Sequence, residues 1–217
     1  MNHKLTEKEI RELEKQLSCP SGSKGIDIGV RMNSSNIGMT TKSIQPLQLE
    51  GDNFVLELGH GNCAHLNQIL KVSEEIKYFG LEVSETMWKE AQKKSTTDRA
   101  KFELYDGHTI PYPDGYFNRI LTVNTIYFWS KPEALLLEIS RVLKPGGIFV
   151  LSFIDKDFMK SLPFVGKEFK LFDKDDIYHL SDKSHLRIIN FESESEEIEN
   201  KMGDKVVRKY SIVKMLK

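Results

Sequence analysis

From residue 53 to residue 154 the chain alternates two patterns, apolar runs of strand length and amphipathic segments of helical period. This alternation constrains the fold more than any other feature. Parallel strands need a crossover between each pair, and helices in the crossovers bury both faces of the sheet. NFVLEL (53–58), IKYFGLEV (76–83), KFELYD (101–106), NRILTVN (118–124) and GIFVLSFI (147–154) read as strands. GNCAHLNQILKVS (61–73), SETMWKEAQKKS (84–95) and KPEALLLEISRVL (131–143) read as helices, with Ser84 as a cap and KPGG (144–147) as a stop.

The flanks read differently. Residues 4–17 are predicted as a helix: Thr6 and Glu9 fit a capping box, and Leu5, Ile10, Leu13 and Leu17 recur at roughly helical spacing. CPSGSKG (19–25) is predicted as a hinge, and the stretch from Ile26 to Leu49 as short helices ending near Pro46. Beyond residue 155, FDKDDIYHLSDKS (172–184) suits a helix capped by Asp173. LRIINFESES (186–195) and DKVVRKYSIVKML (204–216), joined through NKMGD (200–204), suit an antiparallel hairpin at a sheet edge. The expected architecture is α/β: a doubly wound, mostly parallel seven-stranded sheet with an antiparallel C-terminal hairpin. Residues 1–50 form an N-terminal helical extension and 51–217 the main domain.

Composition narrows the function. Lys plus Arg number 31 and Asp plus Glu 32, a net charge of −1, whereas nucleic acid or an anionic membrane demands a basic excess. The two cysteines, Cys19 and Cys63, form no C-x-x-C pair, and free thiols suit a reducing compartment. The charged first twenty residues hold no signal-peptide core, and no apolar run approaches the ~18 residues of a membrane span. The expectation is a cytoplasmic protein with no nucleic-acid partner and no membrane span, a monomer or a homodimer. No pair among the six histidines has metal-site context, so no metal is expected.

In an open parallel sheet, ligands bind beyond the carboxyl ends of the strands. The first strand ends in Glu57-Leu58-Gly59-His60-Gly61-Asn62-Cys63-Ala64, a Gly-rich turn that lets a ligand approach the backbone. Gly59-x-Gly61-x-x-Ala64 also satisfies the dinucleotide pattern, which is weak as a lone match. Glu82 ends the second strand about twenty residues on, the spacing at which a carboxylate meets ribose hydroxyls. The third strand ends in Tyr105-Asp106-Gly107-His108, where Asp106 either meets an adenine amino group or caps the following loop. Together the three strand ends describe a nucleoside-shaped site.

These residues resemble the class I S-adenosylmethionine-dependent methyltransferases, in particular the small-molecule branch that includes ubiquinone/menaquinone-biosynthesis enzymes. Val55-Leu56-Glu57-Leu58-Gly59-His60-Gly61 is similar to that family's opening motif, and GLEVSETM to its ribose-binding strand end. Residues 106–118, DGHTIPYPDGYFN, resemble its "LPFPDGSFD" loop, and residues 138–151, EISRVLKPGGIFVL, its "EIxRVLKPGGxLVL" stretch. The resemblance covers residues 53–154 by motif and 172–216 by topology. It implies a Rossmann-like fold, S-adenosyl-L-methionine as cofactor with S-adenosyl-L-homocysteine as product, and a small-molecule methyl acceptor. It implies cofactor contacts at Glu57, Gly59, Gly61, Asn62, Cys63, Glu82, Val83, Met87, Asp106, Gly107, His108 and Asn124.

Two positions depart from the family pattern: Cys63 stands where Gly is usual, and Asn118 where Asp is usual, the latter read as structural. On the acceptor side, Met32, Asn33 and Asn36 suit a lid formed by N-terminal helices. Tyr127 and Trp129 either wall the transfer pocket or pack the next helix, and the phenylalanines of 155–172 either add a second wall or cover an edge. A sulfonium methyl is already activated, so no catalytic base is singled out. A cofactor-binding pseudo-enzyme and a nicotinamide-dependent oxidoreductase are the competing readings.

Overall fold

In the computed structural model, which describes residues 6–95, 97–199 and 205–217, a seven-stranded sheet organises the chain. Its strands are β1 (Phe54–Leu58), β2 (Lys77–Glu82), β3 (Ala100–Leu104), β4 (Phe117–Val123), β5 (Leu143–Ile154), β6 (Arg187–Glu199) and β7 (Lys205–Leu216). They lie in the order β3-β2-β1-β4-β5-β7-β6. The first five are parallel, and β7 runs antiparallel between β5 and β6. The expected α/β architecture with its edge hairpin is what forms. The strand order turns about β1 and β4, which places a crevice at their carboxyl ends.

The helices are α1 (Glu7–Ser18), α2 (Gly22–Ile44), α3 (Leu66–Leu70), α4 (Glu85–Lys94), α5 (Pro132–Val142), α6 (Lys156–Lys160) and α7 (Lys174–Asp182). Alternation along β1 splits the core. Leu56 and Leu58 join α5 and α7 in one cluster, while Val55 joins residues of α2, α3 and α4 in the other. No helix among the described residues is long and apolar enough to cross a membrane.

Caps fall where the sequence places them. Thr6 Oγ1 accepts the Glu9 N–H, and Glu9 Oε2 accepts the Thr6 N–H. Asp173 and Asp176 make the same reciprocal box at α7. Leu5 and the 200–204 turn lie outside the described residues.

Four expectations are corrected. Ile26 to Leu49 is not a set of short helices but mostly one helix, α2, which starts inside the predicted hinge and runs 23 residues. Packing overrides its weak propensity: an added Cβ on Gly29 would sit 2.4 Å from Met87 Sδ, so the glycine lets α2 lie directly on α4. The predicted helix 61–73 shrinks to Leu66–Leu70, because Gly61 and Cys63 take positive φ and hold the preceding residues in turns. KPGG does not precede the fifth strand but lies within it, since Leu143 already pairs with Phe117. Finally, α6 forms in a stretch read as loop.

Candidate functional site

A cleft of about 160 Å³ opens at the crevice. Its floor is the turn after β1. Gly59 has φ +70°, and an added Cβ there would sit 2.4 Å from Thr125 Cγ2, so both backbone and space require glycine. Gly61 has φ +57°, and an added Cβ would meet nothing within 4 Å; here the bare backbone faces open space that a ligand can fill.

Glu82, at the end of β2, is nearly buried. Its Oε2 accepts the Gly61 N–H at 2.9 Å, and its Oε1 accepts those of Val83 at 2.9 Å and Ser84 at 3.0 Å. The carboxylate is thereby fixed against the Gly-rich turn, with lone pairs left for hydroxyls from the cleft. Ser84 caps α4 through the Met87 N–H and donates to Pro20 O at 2.5 Å, tying the N-terminal helices to this strand end.

Beneath the turn lies a buried polar cluster. Glu57 Oε2 accepts from Tyr78 Oη at 2.6 Å and lies 2.8 Å from His65 Nε2, and Cys63 Sγ donates to Tyr78 Oη at 3.2 Å. Burial alone would raise the Glu57 carboxyl, but the charge of His65 and the two hydrogen bonds outweigh it and hold it below the usual range. Burial opposes a charged His65 as well, and the Glu57 carboxylate wins there too, raising the imidazole. Burial pushes both the Cys63 thiol and the Tyr78 phenol well up. The ligand atoms of Glu57, Cys63 and His65 lie within 4.8 Å of one another, and hydrogen bonds knit the cluster together.

His60 sits apart from this pairing. Its Nδ1 lies 2.7 Å from Gly61 O, its Nε2 is buried without a partner, and burial lowers its pKa. Its ring packs edge-on against Phe102 and over Gly80, where an added Cβ would meet it at 2.6 Å.

Of the predicted cofactor residues, Glu57, Gly59, Gly61, Asn62, Glu82, Val83, Met87, Gly107 and Asn124 line the cleft. Cys63, Asp106 and His108 do not. Asp106 is exposed and accepts the N–H groups of His108 and Thr109, each at 2.7 Å, which is the loop-capping alternative. Those bonds hold its carboxyl below the usual range. His108 instead lies 3.2 Å from Ser130 Oγ.

On the facing side, Met32, Asn33 and Asn36 of α2 line the cleft, and so does Trp129. Tyr127 does not. Its buried hydroxyl donates to Asn124 Oδ1 at 3.0 Å and accepts the Ile154 N–H, and the neighbouring Phe128 faces the cleft. A 3-10 turn over Ile126–Phe128 decides between the two rings, which the aromatic triplet alone does not. Thr40, Thr125, His65 and Pro20 are among the further lining residues that no motif announces. Asn118 is structural: its Oδ1 accepts the Phe54 N–H at 2.9 Å.

Residues 56–151 match the methyltransferase domain family. The fold is the one seen in S-adenosylmethionine-dependent methyltransferases. An uncharacterised methyltransferase of Bacillus subtilis is 27% identical over 55% of this chain and 66% of its own length. A fatty-acid O-methyltransferase of Mycolicibacterium smegmatis is 24% identical over 55% of this chain and 43% of its own. The chain thus spans less than two thirds of the length of these curated relatives. Among solved structures, a putative methyltransferase in complex with the Haloferax volcanii Trm112 methyltransferase activator superposes with a TM-score of 0.78. It is 17% identical and covers 87% of this chain and 92% of its own, a likeness of fold.

Proposed function

We propose that the protein transfers the sulfonium methyl of S-adenosylmethionine to a small, uncharged acceptor held between α2 and the segment after β4. The observation that carries this reading is the continuity of the cleft. The Gly-rich turn, Glu82 and Gly107 line the same space as Met32, Asn33, Asn36, Phe128 and Trp129. Residues 1–50 act in this reading as the lid over that space.

The open Gly61 backbone and the Glu82 carboxylate suit a ribose-bearing ligand, and Glu57 a cationic amino-acid end. When bound, the cofactor supplies an activated methyl group. The chain's own work is to orient the acceptor and exclude water, the role of the lid helix and the aromatic wall. The charged side chains lining the cleft among the described residues are Glu57 and Glu82, with His60 and His65 as the other ionisable nitrogens. No Lys or Arg lines it among those residues, so an anionic acceptor would enter without a charge partner.

The test is a thermal-shift comparison of S-adenosylmethionine, S-adenosylhomocysteine, NAD and NADP, followed by labelled methyl transfer to neutral thiols, amines and phenols. A ligand at 100 times its Kd adds about 2.7 kcal/mol, a rise of roughly 5–10 °C for a chain of this size. A shift with NAD or NADP alone would overturn the reading. Turnover on carboxylates in preference to neutral acceptors would overturn the acceptor class.

A further inference from the structure

We propose that His65 is a positioning residue for the cofactor, and that it gives up a proton when the cofactor's ammonium group settles beside Glu57. The inference rests on the cofactor reading above and adds to it a specific proton balance.

Two carboxylates line the cleft among the described residues, and they are occupied differently. Both Glu82 oxygens already accept backbone N–H groups. At Glu57 both hydrogen bonds fall on Oε2, from Tyr78 and His65, and Oε1 accepts none among the described residues. Glu57, which lines the cleft, therefore keeps one carboxylate oxygen with its full capacity, and His65 and Tyr78 fix which oxygen that is.

The charges around the pair come from several elements. Glu57 is on β1, Tyr78 and Glu82 on β2, His60 and Cys63 in the turn, and Lys94 on α4 acts on the Cys63 thiol. Near neutral pH the phenol and the thiol stay protonated and His60 stays neutral, each because of burial. His65 is the member whose charged form its Glu57 partner favours, since the carboxylate raises it against the opposing effect of burial.

A second cation arriving at the same buried carboxylate repels that imidazolium in a medium that screens poorly. Loss of the His65 Nδ1 proton to solvent through the cleft relieves the repulsion. The Nε2–H stays on the ring and keeps its hydrogen bond to Glu57 Oε2. His65 itself lines the cleft, and no hydrogen bond among the described residues holds its Nδ1. The carboxylate thus keeps its orientation while one positive charge replaces another.

Titration calorimetry with S-adenosylhomocysteine in phosphate and in Tris at neutral pH counts the protons exchanged. Wild type is expected to release a substantial fraction of one proton, with log Kd falling by up to about one unit per pH unit. His65→Gln, whose amide can still donate to Glu57, should bind with no net release and a flat pH dependence. Adenosine, which lacks the ammonium group, should release none from wild type. Binding of S-adenosylhomocysteine without proton release, or with equal release in His65→Gln, would overturn the proposal and leave the cofactor reading standing. No binding heat in any buffer would overturn both.

Discussion

Glu14 Oε1, on α1, accepts the backbone N–H of Gly166 at 2.8 Å and that of Glu168 at 3.1 Å, bridging 152 residues of sequence. The carboxylate is buried, and an added Cβ on Gly166 would sit 2.7 Å from its Oε2. This contact straps α1, whose end lines the cleft, to the loop that follows α6. Glu14→Ala leaves two N–H groups without their acceptor, a loss of about 2 kcal/mol and a melting point lower by about 4–8 °C. An unchanged melting curve would mean that the strap does not form in solution.

Glu82→Ala should weaken S-adenosylhomocysteine binding by about 10–100-fold, because charge-assisted hydrogen bonds contribute roughly 1.5–3 kcal/mol. Glu82→Gln should fall between, since one amide oxygen still accepts. Calorimetry decides it, and equal affinity in wild type and Glu82→Ala would remove the ribose assignment.

Arg208 is almost fully buried and ties three elements together. Its Nη2 donates to Glu196 Oε1 at 2.6 Å and Ser35 O at 2.7 Å, and its Nη1 to Asn36 Oδ1 at 2.9 Å. Asn36 faces the cleft from α2. Arg208→Ala should cost about 3 kcal/mol, read by urea unfolding, because it strands a mostly buried carboxylate. It should also weaken any ligand that touches Asn36. A stability loss with unaltered binding would show that the hairpin supports the fold without setting the lid.

The two turn histidines make opposite contributions to pH dependence. The folded state lowers the pKa of His60, so an unfolded chain takes up a proton that the folded chain resists. Its stabilising share is present above about pH 6.5 and declines as pH falls. The pKa of His65 is raised, so its share is present below about pH 6.5 and is lost as pH rises through its folded value. Between about pH 8 and pH 5.5, His60→Gln should lose less stability on acidification than wild type, and His65→Gln more. Denaturant titrations at the two ends test the sign, and parallel shifts in all three proteins would contradict it.

The sheet was legible because strands buried on both faces must be apolar throughout, and NFVLEL and GIFVLSFI could be little else. The caps at Thr6 and Asp173 were legible because their partners lie three residues away. What escaped depends on distant packing. α2 reads as short helices because its apolar residues fall at mixed spacing, and the seat of Gly29 on Met87 explains its continuity. The Glu57–His65 pair and the Arg208–Asn36 bond follow no local spacing rule, so the Gly-rich turn could be read while the charges beneath it could not. Asp106 was ambiguous for a local reason: the same side chain suits a ligand or its own loop, and the loop has it.

The placement of β7 has a consequence for biosynthesis. Ile148 to Ile154 of β5 pair with Tyr210 to Leu216, which are made more than fifty residues later than β5 itself. Until they emerge, a nascent chain presents the bare backbone of Ile148 to Ile154, an apolar strand competent to recruit any extended segment nearby. Chains cut short before residue 205 should therefore be more prone to aggregation than chains trimmed at the N-terminal helices, although the cleft-forming strands β1 to β4 are intact in both.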